Sequence, residues 1–369
     1  MKVPFFTPKR QYNNIKSEIK KSLNKVLEHG LYILGPEVEE FENNLANYTN
    51  TKEAVCVASG SDALFLGLKA LGIKERDEVI TTPFSFFSTA SAITRVGAKP
   101  VFVDINPKTF NIDVTKIESK ITDKTKAILP VHLFLQPAQM DKIMEIAEKY
   151  NLSVLEDAAE AFGMEFDNTK AGAIGDIGIF SFYPTKTLGA YGDGGAVVTN
   201  KEKYAEEIIS LRNHGQLNRY HHKEVGYNDR LDTFQGAILN IKLKYIDNAI
   251  KKRNEIGNLY NKKLKEIEEI QTPYLIENIQ EVYYVYSILS DKRDQLQKHL
   301  EEKGIGTKIY YPIPLHLQEC FKYLNYKKGS FPVAEKVSKQ ILALPLFPEL
   351  REEEINYVVE SIKEFYYKN

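Results

Sequence analysis

One lysine of this sequence stands where its amine could act as a nucleophile. The run Ile177–Lys186 reads as a strand entering a turn, and glycines follow at positions 189, 192, 194 and 195. An amine that forms a Schiff base must lose its proton, which partial desolvation promotes, and small neighbours let a planar ring approach the backbone. Lys186 is therefore a candidate Schiff-base lysine, and the alternative is a surface lysine in a glycine-rich turn.

A candidate acid, Asp157, follows an apolar strand pattern that begins near Ser153. A carboxylate at a strand end can reach a ligand above the sheet, where it could keep the nitrogen of a bound pyridine ring protonated. The same side chain could instead cap a following helix.

A turn that could bind a phosphate lies at Ser59–Ser61, between a strand pattern and a helix pattern. Free backbone N–H groups and the helix dipole attract anions there, which makes Gly60 and Ser61 the candidate donors. The hydroxyl of Ser181, five residues before Lys186, could reach the same phosphate. Each of these features alone is common.

Aromatic side chains crowd the segment Pro83–Phe87, after another strand pattern. Phe86 is favoured as a ring that could stack on a cofactor, although core packing explains each ring equally well. A strand-end lysine, a strand-end aspartate and a phosphate-sized turn together indicate one cofactor, pyridoxal 5′-phosphate (PLP), more strongly than any one of them.

The elements that must position these residues alternate along the chain. Between residues 50 and 200, short β-branched runs alternate with helical patterns such as Ser61–Ala70 and Met140–Tyr150. This predicts an α/β fold with a mostly parallel sheet between helices, in which ligands gather at the carboxyl ends of the strands. The strand candidates are Ala54–Ala58, Glu78–Thr82, Pro100–Ile105, Ala127–His132, Leu152–Glu156, Ile177–Phe182 and Ala196–Thr199.

A second, smaller domain is predicted because 369 residues exceed what one core usually fills. The charged, Pro-free stretch Lys242–Glu269 predicts a long helix that leaves the large domain. We therefore predict a large domain at 1–250, including an N-terminal helical segment, and a small C-terminal α/β domain at 251–369. The small domain should contain a strand at Val282–Ser290 and helices at Asp294–Lys303 and Glu352–Tyr366.

Composition disfavours several classes of protein. With 49 basic and 50 acidic residues, the chain lacks the basic excess of a nucleic-acid-binding protein. No apolar run approaches the roughly 20 residues that span a bilayer, and the start lacks a signal peptide, which favours the cytoplasm. Cys56 and Cys320 lie far apart and outside any Cys/His cluster, which predicts buried free thiols and no metal site.

Segments spread over nearly the whole chain resemble the DegT/DnrJ/EryC1/StrS family of sugar aminotransferases. The resemblance implies the type I PLP-dependent transferase (aspartate aminotransferase) fold, a PLP cofactor that passes through pyridoxamine 5′-phosphate, and a homodimer with active sites shared between subunits. The segments are Tyr32–Val38, Ser59–Leu64, Val131–Phe134, Glu156–Glu160, Ser181–Ala196, Gly226–Asp232, Tyr311–Gln318 and Leu344–Pro345.

The resemblance also assigns roles to the candidates. Lys186 would carry PLP as a Schiff base, Asp157 would pair with the pyridine nitrogen, and Phe86 would stack on the ring. The phosphate would be held by Ser181, by the backbone of Gly60 and Ser61 and, for the partner subunit's cofactor, by Asn228.

Glu160 departs from the family pattern, which usually has Gln at a position that hydrogen-bonds the ring hydroxyl oxygen of PLP. A carboxylate would repel that oxygen unless protonated, so Glu160 is expected either to shift the pKa of the Schiff base or to turn aside. Thr187 and Leu135 replace a common Asn and Gly, which should affect only packing. Family members that became dehydratases carry His in place of the lysine, so Lys186 favours transamination.

The runs His214–His222 and Val225–Asp232 resemble members that act at the C-3 carbon of a sugar, including those that take UDP-linked 3-keto-uronic acids. We expect L-glutamate as the amino donor and a UDP- or dTDP-linked 3-keto sugar as the acceptor, for amino-sugar and surface-polysaccharide synthesis. Arg230 could meet a substrate carboxylate or phosphate, or be an intersubunit or surface arginine. Further substrate-side candidates are Tyr310, Tyr311, His316 and Gln318.

The sequence excludes one alternative function and leaves others open. An NAD-dependent Rossmann enzyme would need Gly-x-Gly-x-x-Gly after the first strand, and the turn at Ser59–Asp62 has a single glycine, which excludes it. A 4-keto sugar or a cyclitol as the acceptor stays open, and so does a non-catalytic PLP-binding regulator.

Overall fold

A seven-stranded sheet forms the centre of the computed structural model, which describes residues 1–277 and 279–367. Residue 278 and residues 368–369 of the predicted small domain lie outside the described part. The helices are α1 Pro8–His29, α2 Pro36–Thr49, α3 Gly60–Ala70, α4 Phe87–Arg95, α5 Met140–Tyr150, α6 Glu202–Arg212, α7 Thr233–Leu243, α8 Ile246–Leu264, α9 Arg293–Glu302, α10 Pro332–Gln340 and α11 Glu352–Tyr367. The strands are β1 Glu53–Val57, β2 Glu78–Thr81, β3 Lys99–Phe102, β4 Thr125–Ile128, β5 Ser153–Asp157, β6 Glu165–Phe166, β7 Thr169–Lys170, β8 Ile177–Ser181, β9 Gly195–Thr199, β10 Gln216–Asn218, β11 His221–His222, β12 Ile279–Gln280, β13 Tyr286–Leu289 and β14 Ile341–Leu344.

The strand order of the central sheet is β1-β9-β8-β5-β4-β2-β3. Within this sheet β9 runs antiparallel to both of its neighbours, whereas the pairs β8–β5, β5–β4, β4–β2 and β2–β3 are parallel. The mostly parallel sheet predicted from the sequence is therefore confirmed. The aligned strands bring their carboxyl ends to one edge, where the candidate residues follow them.

Helices cover both faces of the sheet. Val55 and Val57 of β1 pack in one cluster with α3, α4 and α6, whereas Cys56 between them packs against α2 and α7 on the opposite face. Alternate side chains of a strand point to opposite faces, and strands buried on both faces read as continuous apolar runs. This is why the strand patterns in the sequence were recognisable.

Two predicted strands end three or four residues earlier than the apolar patterns that predicted them. β3 ends at Phe102 instead of residue 105, and β4 ends at Ile128 instead of residue 132. Beyond β4 an isolated bridge, between Val131 and Asp157, continues the pairing with β5, and Val131 and Leu133 remain buried. Burial under a loop and burial in a strand select the same apolar residue types, so the apolar sequence pattern extended beyond the true strand ends.

The long helix predicted at Lys242–Glu269 is wrong at both ends. Lys242 belongs to the last turn of α7, and residues 244–245 form a turn that interrupts the helix. Helix α8 then begins at Ile246 and ends at Leu264. Neither proline nor glycine marks this break. It occurs where α7 ends against the large-domain core, so tertiary packing overrides a helical pattern. The strand predicted at Val282–Ser290 is likewise shorter, because only Tyr286–Leu289 pairs with β14.

The predicted domain boundary at residue 250 lies inside α8. Ile250 packs in the cluster of the large domain, whereas Tyr260 and Leu264 pack with β13, β14, α9 and α11 in the C-terminal cluster. A helix with one end in each core suits a two-domain chain, and the exact division stays a prediction.

Cysteine burial was predicted correctly for Cys56 and wrongly for Cys320, which is exposed. Cys320 lies in the short 3₁₀ helix at Glu319–Leu324, where Phe321 is the residue that faces the core. None of the helices in the described part of the chain is long and apolar enough to cross a membrane. Across the same residues, no group of three or more His, Cys, Asp or Glu side chains could hold a metal ion.

Candidate active site

A cavity of about 610 Å³ opens at the carboxyl ends of β1, β5 and β8. Its walls come from the turns that follow these strands, from the start of α4 and from the segment at residues 309–311. It brings together most of the predicted site residues, namely Gly60, Ser61, Phe86, Asp157, Glu160, Ser181, Lys186, Tyr310 and Tyr311.

The remaining predicted residues lie outside the lining of this cavity. Asn228 forms a β-bridge with Asn213, and Arg230 donates a hydrogen bond from Nη1 to Oδ1 of Asn213 at 3.1 Å. His316 is buried, with Nε2 3.1 Å from Oε1 of Glu335, and burial lowers the pKa of its imidazole. The amide of Gln318 donates to the carbonyl of Ile313 at 3.4 Å.

The start of α3 forms an anion-binding cradle. Ser59 caps the helix, because its Oγ accepts the backbone N–H of Asp62 at 3.2 Å. The N–H groups at a helix start carry the positive end of the helix dipole, and Gly60 and Ser61 stand there on the cavity wall. A Cβ on Gly60 would lie 2.6 Å from Cβ of Ser181, so only glycine lets the helix start approach β8 this closely. The cradle can hold a phosphate between the helix start and the hydroxyl of Ser181.

Asp157 is the last residue of β5 and is buried. Its Oδ2 accepts a hydrogen bond from Oγ1 of Thr89 at 2.8 Å, and Oδ1 accepts the backbone N–H of Ala159 at 3.3 Å. Burial raises the pKa of this carboxyl group, whereas the two hydrogen bonds oppose the rise. A turn follows Asp157 rather than a helix, so the helix-capping alternative is wrong.

Lys186 lies in the turn after β8, and its side chain is only 14% exposed, which rules out the surface-lysine alternative. Its Nζ is 3.3 Å from Oε1 of Glu160 and 4.4 Å from the centre of the Tyr284 ring. Burial opposes the charge on this amine, but Tyr284 and the carboxylates of Glu160 and Asp157 outweigh that effect and raise its pKa. The site therefore holds a buried, charged amine between a carboxylate and a ring.

Glu160 faces the cavity and does not turn aside. Its Oε1 accepts a hydrogen bond from the hydroxyl of Tyr311 at 3.1 Å, and its Oε2 accepts the backbone N–H of Phe134 at 3.2 Å. Burial, followed by the charge of Glu160, raises the pKa of the Tyr311 phenol well above its usual range. These contacts fix the carboxylate beside Lys186.

Phe86 stands at the mouth of the cavity, where 57% of its surface is exposed. Its ring centre is 6.3 Å from that of Tyr311 at a tilt of 44°. An exposed aromatic face at the rim of a cavity is available to a planar ligand, which core packing would not leave free.

Two side chains of the site were missed in the sequence. Thr89 binds Asp157 from α4, and Tyr284 covers the amine of Lys186. Thr89 lies one helical turn after Phe86, so its position on the wall could have been inferred. Tyr284 stands in the aromatic run of the strand predicted at Val282–Ser290, and nothing local indicates which tyrosine of that run faces the cavity.

The sequence profile of the DegT/DnrJ/EryC1/StrS aminotransferase family matches residues 13–363. This chain belongs to that family. The family and the fold predicted from the sequence are thereby confirmed, and the protein is an aminotransferase.

Similar proteins cover the whole length of this aminotransferase. The "Pleiotropic regulatory protein" of Geobacillus stearothermophilus is 46% identical over 99% of both chains. The UDP-2-acetamido-2-deoxy-3-oxo-D-glucuronate aminotransferase of Pseudomonas aeruginosa is 40% identical over 98% of this chain and 99% of its own. The crystal structure of S. venezuelae DesV in complex with a ketimine intermediate superposes with a TM-score of 0.97, at 37% identity over 99% of both chains.

Proposed function

We propose that this sugar aminotransferase moves an amino group from L-glutamate to the C-3 carbon of a UDP- or dTDP-linked 3-keto sugar. The observation that carries the proposal is the buried amine of Lys186, which lies on the cavity wall with Asp157 and the anion cradle of α3. An amine, an acid and a phosphate site in one cavity match the three attachment points of one cofactor.

That cofactor is PLP, as solved neighbours in PLP and PMP forms indicate. When bound, PLP supplies a protonated pyridine ring that withdraws electrons from a carbon attached to the amino group. The residues fit it. The close approach of Gly60 to Ser181 leaves backbone N–H groups and a hydroxyl for the phosphate, Asp157 presents a buried carboxylate for the pyridine nitrogen, and Phe86 offers an exposed ring face.

Each side chain of the cavity then has a defined task. Lys186 holds the cofactor through its Nζ and, once that amine is free, takes the proton from the α-carbon of the donor and later returns a proton to the acceptor. Asp157 stays ionised beside a cationic ring, and its bonds to Thr89 and Ala159 fix its orientation. Tyr310 and Tyr311 stand on the wall where the sugar would enter.

The proposal includes a homodimer with shared active sites. Asn228 and Arg230 lie outside the cavity of their own subunit, so we assign them to the partner's cofactor phosphate and substrate. An exposed apolar run supports a subunit interface, because Leu31, Tyr32 and Ile33 are each about half exposed, at 57%, 46% and 47%. His316 and Gln318 remain substrate-side candidates of the segment that follows Tyr311. We also place the enzyme in the cytoplasm and its product in surface-polysaccharide synthesis.

Two observations bear on the acceptor and on the alternatives. The Pseudomonas aeruginosa relative is named for a UDP-linked 3-oxo sugar, and other relatives are named for dTDP-3-amino sugars, which supports amination at C-3. The name of the Geobacillus relative keeps a regulatory protein as the second candidate function. A regulator would bind PLP without turning it over.

The test combines spectra with a half-reaction. The purified protein should show a visible absorbance band that borohydride removes, leaving the cofactor bonded to Lys186 in the peptide map. L-Glutamate alone should convert the band to that of pyridoxamine 5′-phosphate, and UDP- or dTDP-linked 3-keto sugars should restore it. Lys186→Ala should lose all three responses, whereas Lys203→Ala, at an exposed lysine of α6, should keep them.

The outcomes separate the candidate functions. A stable band that glutamate does not change would favour the regulator. Restoration only by a 4-keto sugar or a cyclitol would overturn the acceptor assignment, and full turnover by Lys186→Ala would overturn the role of the lysine.

A further inference from the structure

Tyr284 lies against the amine that performs the proton transfers. Nζ of Lys186 is 4.4 Å from the centre of the Tyr284 ring, on its face, within the distance at which a cation is attracted by an aromatic ring. On another side the same nitrogen meets Oε1 of Glu160 at 3.3 Å. The ring of Tyr284 and the carboxylate of Glu160, both from the same subunit as Lys186, therefore hold the amine.

The ring of Tyr284 is fixed in place by the surrounding backbone. Its N–H donates to the carbonyl of Phe134 at 3.0 Å, and its own carbonyl accepts a hydrogen bond from Nη1 of Arg253 at 3.1 Å. Arg253 is buried in α8 and also binds the carbonyl of Tyr283. The hydroxyl of Tyr284 lies 3.3 Å from Oγ1 of Thr185, beside the lysine. Tyr284 is 6% exposed, so its orientation is set before any ligand enters.

The titratable groups that face Lys186 come from several segments of the chain. They are Asp157, Glu160, Tyr284, Tyr310 and Tyr311. Of these, the carboxylate of Asp157 accepts hydrogen bonds from Thr89 and Ala159, and the hydroxyl of Tyr311 donates a hydrogen bond to Glu160. The face of the Tyr284 ring, 4.4 Å from Nζ, is therefore a contact for the ammonium group besides the carboxylate of Glu160.

We propose that the face of Tyr284 is the docking place of the Lys186 ammonium group whenever that amine is not bonded to the cofactor. Tyr284 is then a further active-site residue, which retains the proton-carrying lysine between the two halves of the reaction. The proposal rests on the assignment of Lys186 as the cofactor-bearing lysine. It gives a buried Tyr, with its ring toward the cavity, a function beyond packing.

The physical consequence is a shift in the acidity of the free lysine. A ring face stabilises the ammonium form and not the neutral amine, so a weaker ring quadrupole should make Lys186 lose its proton more easily. In a desolvated contact the effect is about one pKa unit, or about a tenfold rise in the fraction of neutral amine at a given pH.

The experiment weakens the quadrupole of the ring at position 284 in steps while keeping the shape of the ring nearly constant. The full-length protein is loaded with pyridoxamine 5′-phosphate, so that the lysine amine is free, and position 284 carries phenylalanine or its mono-, di- or trifluorinated forms. The pKa of Lys186 is read from the pH dependence of its labelling by acetic anhydride, quantified by mass spectrometry. Tyr284→Phe keeps the ring face without the phenol and serves as the reference, and each added fluorine should lower the Lys186 pKa below that of Tyr284→Phe, by about one unit in total.

A matched series at Phe84 provides the control, because this buried ring packs in the same core cluster as Tyr284 but does not line the cavity. A Lys186 pKa that is constant across the series at position 284, or that falls equally with fluorination of Phe84, would overturn the proposal. Failure of the underlying assignment gives a different result, since borohydride reduction of the PLP form would then leave no cofactor on Lys186.

Discussion

Lys242, in the last turn of α7, is a buried cation whose protonation should control stability. The residue is 6% exposed, its Nζ donates a hydrogen bond to the carbonyl of Gly189, and it lies 5.2 Å from the centre of the Tyr191 ring. Burial lowers the pKa of its amine to about 8, with Glu349 opposing the shift and Arg253 adding to it. The charged form is therefore costly in the folded protein.

The sign and the size of the effect follow from the two pKa values. In the unfolded chain the amine has its ordinary pKa of 10.5, so between about pH 8 and pH 10.5 the unfolded state binds a proton that the folded state has released. Stability must rise with pH across that window, reach its full gain above it, and lack that gain below pH 8. The gap between 10.5 and about 8 corresponds to about 3 kcal/mol in the free energy of unfolding.

The assay is urea unfolding at fixed protein concentration from pH 7 to pH 10.5. Other groups titrate there too, so the informative quantity is the difference between wild type and Lys242→Met, a variant of similar length without the amine. The wild type should gain about 3 kcal/mol more than Lys242→Met across the window. Lys242→Arg stays charged throughout and should lack the extra gain as well.

Equal pH dependence of the wild type and Lys242→Met would refute the reasoning. It would mean that the amine keeps its ordinary pKa in the folded protein, through water or a movement of α7 that solvates it. An extra gain in Lys242→Arg would show instead that a different group titrates in this window.

Two further predictions concern the cofactor site. Gly60→Ala places a Cβ 2.6 Å from Cβ of Ser181, so it should push the start of α3 away and weaken PLP binding by roughly tenfold or more, measured by fluorescence titration. An unchanged affinity would show that the helix start does not hold the phosphate. Asp157→Asn keeps the bond from Thr89 but cannot stabilise a protonated pyridine, so turnover should fall by roughly 100-fold while the visible band remains. Turnover close to wild type would remove Asp157 from the mechanism.

The site could be predicted from the sequence to the extent that strand ends indicate position. Lys186, Asp157 and the turn at Ser59–Ser61 each follow an apolar strand pattern, and parallel strands bring their carboxyl ends to one edge. The three therefore meet in one cavity, as expected. His316 carried no such signal, because a buried histidine bonded to Glu335 and a ligand-binding histidine look alike in sequence.

By itself the sequence determined the alternation of strands and helices between residues 50 and 200, the family, and the residues that the strands deliver to the cavity. Hydrophobic periodicity and strand-end position are local properties, which a single chain displays without folding. Only the tertiary structure decided that Tyr284 covers the amine of Lys186, that Tyr311 binds Glu160 across 151 residues, and that Lys242 is buried at the end of α7. These contacts join segments far apart in sequence, and the packing of helices and loops around the sheet selects which of many similar tyrosines and lysines faces inward.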